Sequence, residues 1–214
     1  MQSRTLSREL ALLMLGQVSD RQDSPAPAAG TSLDTLLQQV LATLSQHVRE
    51  ALDLSADDLQ RAQQDLLDSE LQDSGDERLP RVRQHLQQGL THAEQALNRL
   101  SASLELPRLL LLSDQDAVRS GAIQRTRAVL QERLSIDQRL DAVMEGWRLA
   151  RLPRIDRDIL RLAVVDLDHF QTPPAVACNE AVELANRYSD DQGRRMINGV
   201  LRRFTAALAR SQPR

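Results

Sequence analysis

The spacing of the apolar residues limits most strongly how this chain can fold. Leu33, Leu36, Leu37, Val40, Leu41, Leu44, Val48 and Leu52 keep the three-and-four rhythm of one helical face. The rhythm returns in Leu6, Leu10, Leu13 and Met14, in Val82, Leu86, Leu90, Ala93 and Leu97, and in Met196, Ile197, Val200, Leu201 and Phe204. No stretch shows the period-two alternation of a half-buried strand. Leu, Ala, Gln and Arg dominate, while aromatics make up 2 % of the chain, which is helix chemistry. The expected fold class is all-α, an antiparallel helical bundle.

Local signals set the expected boundaries. Pro and Gly in "DRQDSPAPAAG" predict a flexible loop over residues 20–31, and Ser32 is placed to cap the helix after it. Ser55 with Asp58 reads as the start of another helix, and "DSGDERLP" as its end. "SDQD" at 113–116 and Ser135 with Gln138 predict two successive helix starts, the second helix carrying Ile136, Leu140, Val143, Met144 and a core Trp147. Pro153 and "TPPAV" open the next two helices.

Composition narrows the function classes. No apolar run approaches the roughly 18 residues of a membrane span, and Glu9, Asp20, Arg21 and Asp23 spoil the imitation of a secretory signal near Leu10. The single cysteine, Cys178, excludes an internal disulfide and a Cys-based zinc cluster, so the cytoplasm is expected. The four histidines have no metal-ligand spacing, and neither a cofactor nor a small-molecule substrate is expected. The net charge of −3 hides an asymmetry. Residues 31–79 hold 11 acids and 3 arginines, whereas residues 187–214 hold 7 arginines and 2 aspartates. All 27 basic residues are arginine, whose planar fork suits phosphate, so a basic end can bind a polyanion despite the acidic total.

Three ordered blocks, "LPRIDRDILRLAVVDL", "TPPAVACNEAVELANRYS" and "RRMINGVLRRF", resemble the C-terminal half of the NusB transcription antitermination family, and "SRELALLMLGQVSD" more weakly resembles its first helix. Residues 31–107 have no clear counterpart in short family members and read as a helical expansion within a single domain over 1–214. The resemblance implies a bundle that binds the boxA element of ribosomal RNA leader transcripts together with NusE, a small-subunit ribosomal protein. The pair then acts on elongating RNA polymerase without catalysing a reaction.

Several residues carry these expectations. Arg4 and Arg8 lie one turn apart at a helix start, where free N–H groups and the dipole disfavour cations and an RNA phosphate would relieve them. At the other end Arg195, Asn198 and Arg202 share a face by spacing, Arg194 points elsewhere, and Met196 replaces a frequent family aromatic that stacks on RNA bases. By resemblance the partner-binding set is Asp156, Gly16, Val165 and Asp166, with family tyrosines replaced at Gly16 and Val165. Arg154 with Asp158, and Asp158 with Arg161, read as ordinary surface pairs. Two other readings remain: a protein-interaction bundle that has lost RNA affinity, favoured by Met196, and the NusB-like N-terminal domain of an RNA cytosine methyltransferase. The sequence shows no glycine-rich cofactor loop and no second cysteine for the latter.

Overall fold

The computed structural model describes residues 2–18, 32–70, 78–103 and 115–211. The expected flexible loop at 20–31 lies outside them. Among the described residues all regular structure is helical, and no helix is long and apolar enough to cross a membrane. The α-helices are α1 (Gln2–Gln17), α2 (Leu33–Glu70), α3 (Arg78–Ser103), α4 (Asp116–Val143), α5 (Arg154–Asp168), α6 (Pro174–Tyr188) and α7 (Asp191–Ser211), with a 3-10 turn at Leu149–Arg151. The chain forms two compact units, Met1–Val40 with Leu112–Arg214, and Leu41–Leu111.

In the first unit α5 is the central helix, packed against α1, α4, α6 and α7. Ten of its residues are buried, including Ile159, Leu160, Leu162, Val164 and Val165, each contributing about 1.5–3 kcal/mol through burial. This explains why the second half of "RLPRIDRDILRLAVVDL" is apolar all round. Leu10, Leu12 and Met14 of α1 and Leu36, Leu37 and Val40 of α2 fill the same unit's core.

Arginines close two helix ends. Arg154 donates from Nη2 to the carbonyl oxygens of Leu15, at 2.5 Å, and Val18, and Arg203 Nε donates to the Val143 oxygen at 2.9 Å. Each guanidinium donates to carbonyls in the last turn of a helix or just beyond it, where intrahelical donors run out.

Two expected helix starts are interior instead. Ser55 is buried mid-α2 and its hydroxyl donates to Ala51 O at 2.7 Å. Ser135 lies within a continuous α4, which begins after Gln115 rather than at Ser113, a residue outside the described set. A Ser–x–x–Asp or Ser–x–x–Gln pattern satisfies backbone donors only where the chain is already turning, and here it is not. Ser32 does cap, accepting from Thr35 N at 3.2 Å. Trp147, expected in the core, is 57 % exposed, because α4 stops at Val143 and Gly146 turns the chain at φ +73°.

The second unit is an antiparallel hairpin of residues 41–70 of α2 with α3. Its interior is small and polar. Ser55, Asp58, Ser69 and Ala96 are buried there, Asp58 meets Arg99 at 3.4 Å, and His92 meets Asp65 at 3.0 Å.

Candidate nucleic-acid interface

Arg8 is corrected by the fold. It is only 3 % exposed, its Nε donates to Asp166, and its Nη1 reaches Glu180 at 3.3 Å. Arg125 of α4 holds the other Asp166 oxygen at 2.9 Å and stacks on Phe170 at 3.9 Å from the ring centroid. Burial draws the Arg125 pKa down, Asp166 opposes this, and the positive charges of Arg8 and then Arg4 add to the lowering. Arg4 is exposed at the mouth of this network, and no acid lies in the first turn of α1. Of the expected N-terminal pair, then, Arg4 alone is open to a phosphate. Arg8 is spent on tying α1 to α5 and α6.

The expected partner residues divide similarly. Gly16 is exposed near the end of α1. Val165 and Asp166 are buried, since the central helix has no free face at that level, and they offer a partner no contact surface. Asp158 and Arg161, expected as surface residues, are buried too: Asp137 of α4 adds a bidentate partner to Arg161 at 2.7 and 2.8 Å. Spacing along one helix cannot reveal an acid arriving from another.

Asp156 is 1 % exposed, and Ser189 Oγ donates to it at 2.6 Å. Burial pushes its carboxyl pKa up, the Ser189 hydrogen bond opposes that, and neighbouring Asp190 reinforces it. No arginine pairs with Asp156 among the ion pairs of the described residues, unlike Asp158 and Asp166. It forms the wall of a cleft of about 270 Å³ together with Trp147, Arg151, Pro153, Asp190 and Met196. Gly193 makes this approach possible, because a Cβ there would lie 2.8 Å from Asp156 Oδ2 and 2.1 Å from Ser189 Oγ.

A second groove, of about 460 Å³, runs between α6 and α7. Cys178, Asn179 and Val182 line it from α6, and Asn198, Arg202 and Thr205 from α7. Burial raises the Cys178 thiol pKa, and the charge of Arg202, which lines the same groove, opposes this. Arg195 is exposed about two turns before Arg202. Arg194 pairs with Asp191 at 3.0 Å. Met196, by contrast, lines the Asp156 cleft, on the other flank of α7. The two arginine ends are separated by α6: Glu180, Arg187 and Tyr188 face α1, whereas Cys178 and Val182 face α7.

The sequence reading missed Asn179 as a groove residue and Trp147 as a cleft residue. The signals were available, in an exposed i, i+3 neighbour of Val182 and in Gly146 as a helix stop.

The sequence pattern of the NusB family matches residues 82–206. The chain belongs to the NusB family. It is 42 % identical over 204 residues to the transcription antitermination protein NusB of Synechocystis sp., covering 95 % of this chain and 91 % of that one. Against the protein of the same description from Gloeobacter violaceus it is 41 % identical over 214 residues, covering 99 % and 98 %. A solved structure of T. maritima NusB aligns with 47 % of this chain and 72 % of that one, at 29 % identity and a TM-score of 0.43. The first two NusB alignments must run through residues 31–107, so the stretch read as an expansion without counterpart is shared with these long relatives.

Proposed function

We propose that this NusB-family chain is a cytoplasmic transcription antitermination factor that binds boxA-type RNA jointly with the ribosomal protein NusE and travels with elongating RNA polymerase. What carries the proposal is the match, over nearly the whole of both chains, to relatives described as transcription antitermination proteins. The charge placement supports it. Arg4, Arg195 and Arg202 are exposed, and Asn198 and Asn179 sit beside Arg202 in one groove, giving amide donors and acceptors next to a phosphate-binding cation. The ribosomal protein would meet the Asp156 cleft, where an acid lacking an arginine partner lies beside Trp147, and Gly16.

One observation favours the second reading, a protein-interaction bundle with weak RNA affinity. Met196, at the position of the family aromatic, turns into the Asp156 cleft and not toward Arg195 and Arg202. Filter binding of boxA RNA with and without the ribosomal protein separates the two. RNA retained more tightly in the presence of that protein, and less tightly by the Arg195→Glu/Arg202→Glu variant, supports the first reading. Formation of the protein pair without any gain in RNA retention supports the second.

A further inference from the structure

Among the described residues, the hairpin of α2 and α3 carries an exposed apolar face. On α2, Leu52, Leu59 and Leu66 recur every seven residues, each three residues before an interior position, Ser55, Ala62 and Ser69. On α3, Leu86 stands three before Gly89, which packs on Ala62, while Leu79, Leu90 and Leu97 extend the same stripe. Two antiparallel helices whose stripes are offset from their shared interior in the same sense along the sequence present both stripes on one side. These seven leucines are 42–82 % exposed. Together they leave bare roughly 700 Å², close to the ~800 Å² per partner that a stable complex buries. Two helices with a small polar seam have no third element of their own hairpin to lay over it.

The charges select the occupant. Residues 41–70 carry seven acids and two arginines, whereas α3 carries four arginines and one acid, Glu94. We infer that this face binds the same face of a second copy of the chain, forming a four-helix bundle about a two-fold axis parallel to the helices. That axis lays acidic α2 over basic α3 of the other copy, and every neighbouring pair then runs antiparallel. The other two-fold arrangement lays α2 on α2 and α3 on α3, setting like charges together. Rotation about the parallel axis keeps heights. Because Asp65 lies between His85 and His92 in height, Leu66 of one copy comes within a turn of the height of Leu86 of the other.

The test is sedimentation of the full chain, whose monomer mass is 24.0 kDa. A species of twice that mass at micromolar concentration is expected, and the Leu59→Glu/Leu90→Glu variant should dissociate at least tenfold more readily while keeping its helical circular dichroism. In a Cys178→Ala background, mild oxidation of a mixture of Leu66→Cys chains with Leu86→Cys chains should give a mixed disulfide dimer, and Leu59→Cys alone should give little. A chain that stays monomeric overturns the inference, including where the same leucines prove necessary for binding the ribosomal protein. So does a dimer indifferent to both leucine substitutions, or one that Leu59→Cys alone cross-links efficiently.

Discussion

Arg125 Nε donates to Asp166 Oδ1 at 2.9 Å inside the bundle, with both side chains at most 5 % exposed. The other Asp166 oxygen accepts from Arg8, so one carboxylate bridges two guanidinium groups from two helices, and Glu180 supplies the second negative charge. Removing the Asp166 carboxylate strands Arg125 and leaves Arg8 with Glu180 alone, at 3.3 Å. Asp166→Ala is expected to cost about 3–5 kcal/mol, the scale of breaking a buried pair from one side. Urea denaturation checks this, and a loss under 1 kcal/mol would show that water replaces the carboxylate.

Arg4 and Arg8, equivalent by spacing, are expected to behave differently. Arg8→Glu sets a third acid beside Asp166 and Glu180 and should lower stability by roughly 3 kcal/mol or more. Arg4→Glu should leave the melting temperature unchanged or slightly higher, because an acid suits a helix start. It should weaken RNA binding and reduce the log–log salt slope by roughly 0.7, the value for one lost single-strand phosphate contact. Salt-dependent binding isotherms of the two variants, read beside their melting curves, decide it.

Asp156 ionises against its surroundings. Its folded-state pKa lies above the ordinary value of 3.8, chiefly through burial. The native protein therefore holds this proton where the unfolded chain has released it. The stability from this group is present at low pH and is lost as pH rises from 3.8 through the raised value. Asp156→Asn keeps an acceptor for Ser189 and removes the charge, so at neutral pH it should be as stable as the parent or more so, with a flatter melting-temperature profile in weak acid. If the carboxylate meets the ribosomal protein, affinity should fall at least about tenfold, or 1.4 kcal/mol. Calorimetric melts and titration of the partner give the two readouts. A less stable variant with unchanged partner affinity would assign Asp156 to structure alone.

Gly193→Ala sets helix propensity against sterics. Alanine would gain about 1 kcal/mol within an exposed helix. Here its methyl would stand 2.1 Å from Ser189 Oγ and 2.8 Å from Asp156 Oδ2, so the Ser189–Asp156 hydrogen bond must break or α7 must move. A net loss of about 1–3 kcal/mol is expected from overpacking, measured by chemical denaturation. A net gain would mean that Ser189 rotates away without penalty.

The all-helical fold, the Ser32 cap and the proline starts of α5 and α6 were legible in the sequence, because apolar period, cap chemistry and fixed proline φ act over a few neighbouring residues. The three C-terminal blocks also carried the family. The roles of individual charges were not legible. Arg8, Asp158, Arg161 and Asp166 look like solvated residues along the chain, and each is buried because its counter-charge comes from another helix. Ser55 and Ser135 look like caps and are helix interior, since the helices run on through them. Short-range physics, readable from spacing alone, determined which segments are helical. Burial and partnering depend on side chains distant in sequence, and only the packing of α1, α4, α6 and α7 around α5 decided which charges face solvent and which hold the bundle together.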